Sequence, residues 1–315
     1  MFRPFEKWHG CKNDFIVTPL FPHDGEVVFD SLVRSASRIC DRRSGIGADG
    51  ILVLHYQGRE EIFPQELSII NADGSLAATC GNGLRCAAVA VLKDWRERGN
   101  PQEVPELVSF KLASGTQVDC RFMSKGGMAG YPLVAVGMGA VIVDQDVSWH
   151  GDAKKEVGRV TSESKLAHLG QDWHAVDVGN KHLVFFVDDL KQEELLKIGP
   201  AFQDSKFWDG INVHLVTTQE VTPERQAYAT KTLGQRIGDY HEALVWERGA
   251  GPTQACGSGA VAIASAAAST GLVSGEQWQM IGMPGGKLFV SLDDSDKTAT
   301  LAGPAEFVFE GVMEI

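Results

Sequence analysis

Two stretches of this chain, CGNGLRCAAVAVL from Cys80 to Leu92 and CGSGAVAIASAAAST from Cys256 to Thr270, share one pattern. Each begins with Cys-Gly-x-Gly and continues as an apolar run in which Arg85 is the only charge. A helix that is apolar on nearly every side is buried on every side. The two stretches therefore predict a duplicated unit: two central helices, each wrapped by strands and each with a cysteine at its N-terminal end.

The position of these cysteines predicts acid–base chemistry. A helix N-terminus presents unpaired N–H groups and the positive end of the macrodipole, which favour a thiolate and bind anions. The glycines after each cysteine let a substrate carboxylate approach those N–H groups closely. Cys80 and Cys256 could then serve opposite faces of one carbon, which predicts stereoinversion. Either motif alone is explained as well by tight packing at the start of a buried helix.

Composition restricts the class of protein. The chain has 315 residues, enough for two domains, with 43% hydrophobic and 22% charged residues, as in soluble globular proteins. The net charge of −12 argues against nucleic acid as a partner. Residues 1–10 lack the apolar core of a signal peptide, and the long uncharged run 126–143 is broken by glycines and Pro132. We expect a cytoplasmic protein without a membrane partner.

Cysteine spacing gives no support to a metal site. The chain contains no Cys-x-x-Cys motif, and the interval from Cys80 to Cys86 matches no common zinc pattern. The even number of cysteines permits a disulfide framework, but a long chain without a secretion signal favours reduced thiols. We interpret Cys40, Cys86 and Cys120 as core residues.

Periodicity places the other elements. Leu32, Val33, Ala36 and Ile39 predict one helical face within 29–40. Short β-like runs predict many strands, and many strands with few helices indicate an α+β chain. Gly271 is a candidate C-terminal cap of the second central helix. The predicted strands cover residues 51–55, 67–70, 108–112, 116–120, 278–281, 287–292, 298–301 and 306–309.

Seven stretches in order along the chain resemble the diaminopimelate epimerase family. They are KWHGCKNDFIV (Lys7 to Val17), DRRSGIGADG (Asp41 to Gly50), NADGSLAATCGNGLRCAA (Asn71 to Ala88), VGNKH (Val178 to His182), INV (Ile211 to Val213), ERGAGPTQACGSGA (Glu247 to Ala260) and GPAEFVFEG (Gly303 to Gly311).

The resemblance implies two similar strand-rich barrel domains, each wrapped around a central helix and related by pseudo-twofold symmetry. Clustered glycines near residues 125–132 place the boundary, which gives an N-terminal domain of residues 1–128 and a C-terminal domain of residues 129–302. The final strand, 303–315, would return to the first domain. The resemblance further implies a homodimer, and an activity that needs neither pyridoxal phosphate nor metal.

The resemblance also implies the function: interconversion of LL- and meso-2,6-diaminopimelate in lysine and peptidoglycan precursor biosynthesis. Cys80 and Cys256 would be the acid–base pair, and His182 and Glu247 would tune the pKa values of these thiols. The remaining substrate-binding residues implied by the motifs are Asn13, Asn71, Asn180, Asn212 and Arg248, with the backbone amides of Gly81, Asn82, Gly257 and Ser258 on the reacting carboxylate. Glu247 belongs to the substrate-binding set as well.

Three features depart from the family pattern. Lys181 replaces a proline, and Gly50 stands where some members have a substrate-contacting glutamine. The segment 217–241 is longer than expected, which predicts a hairpin extension or a surface insert. These departures affect the distal end of the substrate and leave the reaction type unchanged.

Two alternatives remain open from the sequence. The first is a proline or hydroxyproline racemase, or a phenazine-pathway-like isomerase, on the same scaffold. The far end of the site argues against it, because a second amino-acid head needs polar partners, which Asn71, Asn180, Asn212 and Arg248 would supply. A phenazine-type isomerase would also not need both cysteines. The second alternative is a non-enzymatic redox sensor in which Cys80 and Cys256 form a switch disulfide.

Overall fold

The computed structural model describes residues 1–61, 63–99, 105–123, 130–205, 210–271, 278–293 and 295–315. The chain divides into two compact units. Unit 1 is Met1–Val136 together with Gly303–Ile315, and unit 2 is Gly137–Ala302. The boundary expected from the sequence at residue 128 falls on residues 124–129, which lie outside the described residues. None of the described helices is long and apolar enough to cross a membrane.

The described part of unit 1 contains two α-helices and a set of paired strands. Its helices are α1 (Gly25–Cys40) and α2 (Gly81–Glu97). Its strands are β1 (Phe2–Gly10), β2 (Asn13–Leu20), β3 (Gly50–His55), β4 (Glu66–Asn71), β5 (Leu76–Ala77), β6 (Leu107–Leu112), β7 (Gln117–Phe122), β8 (Val134–Ala140, which runs across the unit boundary) and β18 (Glu306–Glu314).

The strands of unit 1 surround its second helix. Strand β1 is antiparallel to both β18 and β2. From β2 onward parallel and antiparallel pairs alternate: β2 is parallel to β3, β3 is antiparallel to β4, and β4 is parallel to β6. Helix α2 contacts β1, β2, β3 and β7. Every residue from Gly81 to Leu92 is buried, as its apolar sequence predicts.

Unit 2 contains four helices and nine strands in the described part. Its helices are α3 (His150–Glu163), α4 (Gln192–Gln203), α5 (Pro223–Leu233) and α6 (Gly257–Ser269). Its strands are β9 (Ile142–Val143), β10 (Trp173–Asp177), β11 (Lys181–Phe186), β12 (Asn212–Gln219), β13 (Ile237–Glu247), β14 (Gly251–Thr253), β15 (Trp278–Met283), β16 (Gly286–Asp293) and β17 (Thr298–Gly303, whose last residue belongs to unit 1).

Unit 2 repeats the topology of unit 1. The pair β10 and β11 is antiparallel, β11 is parallel to β12, β12 is antiparallel to β13, and β13 is parallel to β15. Helix α6 contacts β10, β11, β12 and β15, as α2 contacts the strands of its own unit. Parallel pairing aligns Phe15 with Gly50 in unit 1 and His182 with Asn212 in unit 2. These alignments make individual positions of the two units comparable.

The central-helix and strand predictions are confirmed. Helices α2 and α6 cover the two apolar runs. Seven of the eight predicted strands lie within observed ones, and the eighth, predicted for 116–120, overlaps β7, which begins one residue later at Gln117. Gly271 has a left-handed φ of 72° and donates its N–H to the carbonyl of Ala268 at 3.1 Å, as a residue that ends a helix does.

The long segment 217–241 is more than a hairpin extension. Its two ends pair as antiparallel strands, since Thr217 lies opposite Glu242 and Gln219 opposite Tyr240. Between these strands the chain forms α5, which begins at Pro223 after a Thr222 cap. Proline at the first helical position and a threonine cap both favour a helix start there. The corresponding connection in unit 1, between β3 and β4, has no helix among its described residues.

Candidate active site

Cys80 occupies the N-cap of α2. Its backbone is extended, with φ −154° and ψ 107°, and its Sγ accepts a hydrogen bond from the Gly83 N–H at 3.4 Å. The side chain is half-buried. A Cβ at residue 83 would lie 3.1 Å from Leu52 Cδ2 and 3.6 Å from Cys80 Sγ, so glycine there keeps the start of the helix close to β3. The predicted placement of this thiol at a helix start is confirmed.

A chain of hydrogen bonds fixes the residues beside Cys80. The buried Arg85 guanidinium donates to Asn82 Oδ1 at 2.8 Å and to the Gly81 carbonyl at 3.3 Å. Asn82 Nδ2 then donates to Asn13 Oδ1 at 2.9 Å, and Asn13 Nδ2 donates to Asp49 Oδ2 at 2.6 Å. The structure thus brings the candidate substrate-binding residues 13, 81 and 82 together at the start of α2.

Asn71 is the last residue of β4 and is exposed. Its side-chain amide donates to Ser75 Oγ at 2.9 Å, and its backbone N–H donates to the Ser75 carbonyl at 2.8 Å. The strand register places Asn71 opposite Gly50. In unit 2, Trp246 pairs with Val213, so the next residue, Glu247, lies opposite Asn212, the counterpart of Gly50. Asn71 and Glu247 therefore occupy equivalent positions at the ends of equivalent strands.

Cys256 occupies the N-cap of α6 in the same way. Its φ and ψ are −131° and 116°, and its Sγ accepts a hydrogen bond from the Gly259 N–H at 3.3 Å. Its own N–H lies 3.3 Å from Met283 Sδ. Unlike Cys80, this residue is buried, with 3% of its surface exposed. The second helix-start thiol is also confirmed.

The expectation of a lowered pKa at Cys256 is wrong. Burial, followed by the negative charge of Glu247, raises the pKa of this thiol well above its ordinary value. Hydrogen bonds from the Ser258 hydroxyl and the Gly259 N–H act in the opposite direction but are outweighed. The helix N-terminus alone would favour a thiolate, but withdrawal of the sulfur from water has the larger effect. Cys256 therefore rests as a thiol.

The residues next to Cys256 include three of the candidates. Ser258 Oγ lies 3.6 Å from Cys256 Sγ, and Asn180 Nδ2 donates to Ser258 Oγ at 3.3 Å. The Glu247 carboxylate accepts a hydrogen bond from the thiol and another from Thr253 Oγ1. Asn180 is thus the counterpart of Asn13, because each contacts the second residue of its unit's central helix.

His182 is completely buried between two polar partners. Its Nε2 lies 2.9 Å from Asn180 Oδ1, and its Nδ1 lies 2.8 Å from Nε2 of His214, another buried residue. Burial, followed by the neighbouring His214, holds the pKa of His182 well below its ordinary value, and burial lowers the pKa of His214 to about 3. Both rings are neutral at physiological pH, so neither imidazole places a positive charge near Cys256.

Asn212 holds two backbone groups. Its Nδ2 donates to the Lys181 carbonyl at 2.9 Å, and its Oδ1 accepts the Arg248 N–H at 3.0 Å. The methylenes of Arg248 pack on Gly210, where an added Cβ would lie 2.4 Å from Arg248 Cγ. Asn212 therefore fixes the backbone of the arginine predicted to bind a carboxylate.

The departures from the family pattern at positions 50 and 181 have local structural consequences. A Cβ at Gly50 would lie 2.6 Å from the Ile70 carbonyl oxygen, so a larger residue at position 50 would require this backbone to move. Lys181 begins β11, and its Nζ lies 5.9 Å from the centroid of the Trp149 ring. The extra charge is thereby placed over an aromatic face.

Arg85 and His214 were not identified as site residues from the sequence. The only available signal for Arg85 was a single charge inside an apolar run. His214 lies two residues after the Asn212 motif, where a strand predicts an inward-facing side chain but no chemistry. Both act on candidate site residues through contacts made within their own units.

Each of the two topologically equivalent units has a reduced thiol at the N-terminus of a buried helix. Two such thiols are the acid and the base that an acid–base isomerase requires. The family model described as diaminopimelate epimerase matches residues 5–107 and 174–308. The chain belongs to the diaminopimelate epimerase family.

Curated relatives match over nearly the full length. A diaminopimelate epimerase of Carboxydothermus hydrogenoformans is 32% identical over 98% of this chain and 98% of its own. One from Natranaerobius thermophilus is 30% identical over 98% and 97%, and one from Synechocystis is 32% identical over 99% of each chain.

Solved structures share the fold at low sequence identity. A phenazine biosynthesis protein of the PhzF family from Bacillus anthracis aligns with a TM-score of 0.65 at 12% identity, covering all of both chains. A hydroxyproline epimerase from Agrobacterium vitis aligns with a TM-score of 0.57 at 14% identity, covering 99% of this chain and 91% of its own. These similarities establish the scaffold and do not bear on the substrate.

Proposed function

We propose that this enzyme interconverts LL- and meso-2,6-diaminopimelate, a step of lysine and peptidoglycan precursor biosynthesis. The observation that carries the proposal is the pair of helix-start cysteines, Cys80 and Cys256, in a chain of the diaminopimelate epimerase family. Neither the racemase alternative nor the redox sensor is favoured by a specific contact in the described residues.

In the proposed reaction one cysteine thiolate removes the α-proton, and the C–H electron pair stays on carbon, delocalised into the α-carboxylate. The thiol of the other cysteine then donates its proton to the opposite face. No net oxidation occurs, and the two thiols exchange protonation states. Cys256, which rests as a thiol, is suited to donate first.

The helix starts would stabilise the carbanion. The N–H groups at residues 81, 82, 257 and 258 open the two central helices, where the macrodipole favours negative charge. Asn13, Asn71, Asn180 and Glu247 would orient the amino and carboxylate groups, with the first three held by side-chain hydrogen bonds within their units. Arg248 would bind the distal carboxylate, with its backbone held by Asn212.

The proposed substrate can be tested by α-proton exchange. The enzyme incubated with LL-diaminopimelate in heavy water should place deuterium at the α-carbon, which mass spectrometry detects. L-Lysine and L-proline present a reacting centre but lack the distal amino-acid head, whose binding energy is used at the reacting centre. We expect exchange at least about a hundredfold slower for both. Comparable rates for all three would reject diaminopimelate specificity.

The same proposal includes a cytoplasmic location. All six cysteines are free thiols, and the proposed chemistry needs two of them reduced. Free thiols persist in the reducing cytoplasm and are oxidised in secretory compartments.

We also propose a homodimer formed through the neighbouring strands β1 and β18. Large apolar side chains of these two strands are exposed: Phe2 (74%), Val312 (67%), Val308 (48%) and Phe309 (43%). Exposed apolar side chains clustered on neighbouring strands favour a protein contact, and homodimer interfaces are apolar. A second copy of the chain would cover these side chains.

A charge introduced among these side chains should dissociate the dimer. Val312→Glu would bury an unpaired carboxylate in each copy at the interface, which is costly. Light scattering coupled to gel filtration should then give the mass of a dimer for the unsubstituted protein and the mass of a monomer for Val312→Glu. Val27→Glu is the matched control, because Val27 is equally exposed (71%) but lies on α1. A dimer that persists in Val312→Glu, or a monomeric unsubstituted protein, would contradict this assignment.

A further inference from the structure

Four hydrogen-bonded residues lead from the interior of unit 2 to the sulfur of Cys256. His214 Nε2 lies 2.8 Å from His182 Nδ1, and His182 Nε2 lies 2.9 Å from Asn180 Oδ1. Asn180 Nδ2 lies 3.3 Å from Ser258 Oγ, which in turn lies 3.6 Å from Cys256 Sγ. This hydrogen-bond chain links a fully buried imidazole to a proposed proton carrier.

The direction of every bond in this chain follows from its Cys256 end. The thiol directs its proton to the Glu247 carboxylate, which can only accept, so the sulfur accepts from Ser258. A hydroxyl that donates to sulfur accepts from the Asn180 amide, whose Nδ2 must therefore face it. Asn180 Oδ1 then faces His182, so His182 carries its proton on Nε2. The direction is the same when Cys256 is a thiolate, which has no proton to donate.

The tautomer of His182 fixes that of His214. With its proton on Nε2, His182 accepts at Nδ1, and His214 must donate from its own Nε2. Nδ1 of the neutral His214 is then an acceptor. Among the described residues this buried nitrogen has no hydrogen-bond partner. The chain therefore begins at His214, and each member donates toward the sulfur.

Unit 1 shows that the fold does not require imidazoles at these positions. The register equates His182 with Phe15 and His214 with Leu52, both of which are buried. The packing contact is also equivalent: a Cβ on the third helix residue would approach Leu52 in unit 1 and His214 Cε1, at 2.6 Å, in unit 2. Apolar side chains fill the same space in one unit, so the polar pair serves something other than packing.

We propose that His214 is a positioning residue for proton transfer at Cys256. It sets the tautomer of His182. That tautomer holds the Asn180 amide and the Ser258 hydroxyl in the orientation that stabilises the thiolate. This inference rests on the proposed function, in which that thiolate forms when Cys256 gives up its proton. A buried thiolate needs such donors, because only 3% of the surface of Cys256 is exposed to water. Glu247 acts on the thiol in the opposite sense and is present in every variant below.

The test compares two substitutions of His214. Gln can place an N–H near the position of the imidazole Nε2, whereas Leu, the residue at the equivalent position of unit 1, has no donor. The readout is alkylation by iodoacetamide at a pH below the thiol midpoint, where the rate follows the thiolate fraction. Peptide mass spectrometry gives the ratio of Cys256 to Cys80 alkylation in the same molecule, and this ratio is measured without substrate.

His214→Leu should lower this ratio about threefold, because loss of the donor raises the pKa of Cys256 and reduces its thiolate fraction, while His214→Gln should keep it. Looser packing would expose the buried Cys256 and raise the ratio, so a structural defect gives the opposite sign. His241→Leu is the control, because His241 is equally buried in unit 2 and is hydrogen-bonded to Thr218 and Gln279. An unchanged or raised ratio in His214→Leu, or an equal fall in His241→Leu, would overturn the inference.

A double-substitution cycle tests whether the effect passes through Ser258. Ser258→Ala keeps the backbone N–H but removes the last hydroxyl of the chain, so adding His214→Leu should then change the ratio no further. A full threefold effect in the Ser258→Ala background would reject the chain as the route. If the unsubstituted protein failed to exchange the α-proton of diaminopimelate, the proposed function would fall, whereas the alkylation ratios would still decide the role of His214.

Discussion

Cys80→Ser and Cys256→Ser should each lower turnover of diaminopimelate by about 10²- to 10⁴-fold, the range that a positioned acid or base contributes. Each thiol is the proposed proton carrier on one face of the carbon, so neither can replace the other. A serine hydroxyl is far less acidic than a thiol and is a poor base at neutral pH. Turnover is measured by the rate of LL to meso conversion, with proton exchange at the α-carbon as a second readout.

The fold should survive both substitutions. Each cysteine caps its helix by accepting one backbone N–H, from Gly83 or Gly259, and serine is a preferred residue at that position. Far-ultraviolet circular dichroism and the unfolding midpoint should therefore stay close to those of the unsubstituted protein. Lost activity would then reflect lost chemistry.

Cys86→Ser is the matched control. Cys86 lies in the same helix as Cys80 but is fully buried, and burial raises the pKa of its thiol. Its substitution buries a hydroxyl and should reduce stability, at a cost of about 1–3 kcal/mol if that hydroxyl finds no partner, while turnover is largely kept. Wild-type turnover in Cys80→Ser or Cys256→Ser would reject the two-base mechanism.

The central helices and their caps could be predicted because their signals are local. An apolar run after Cys-Gly-x-Gly is informative without knowledge of any distant residue. Other elements depended on tertiary context: β11 is almost uniformly buried and lacks alternation, and α4 contains Pro200, which argues locally against a helix.

The site chemistry depended still more on contacts between distant residues. Arg85 reaches the carbonyl of Pro304, and His214 meets His182 only because β11 and β12 are parallel neighbours. The raised pKa of Cys256 has the same origin. A helix start is visible in the sequence, but the depth at which the fold buries it is not, and here burial decides the protonation state.

Arg248→Lys should lower kcat/KM for diaminopimelate about tenfold to a hundredfold. Asn212 holds the backbone of Arg248, and Gly210 leaves space for the methylenes of Arg248. The position of the guanidinium is therefore restricted by both contacts. A guanidinium can hold a carboxylate through two parallel hydrogen bonds, whereas an ammonium keeps the charge but loses that geometry. The expected loss corresponds to one charged hydrogen bond, about 1.5–3 kcal/mol.

Because the binding energy of the distal head is used at the reacting centre, the loss should appear in kcat as well as in KM. Arg225→Lys is the control, since Arg225 lies on α5 and contacts Gln219 and the Tyr240 ring instead of a site residue. Steady-state kinetics of both variants should separate them by at least about tenfold. If Arg248→Lys retained the kcat/KM of the unsubstituted enzyme, or if Arg225→Lys lost as much, Arg248 would not be the ligand of the distal carboxylate.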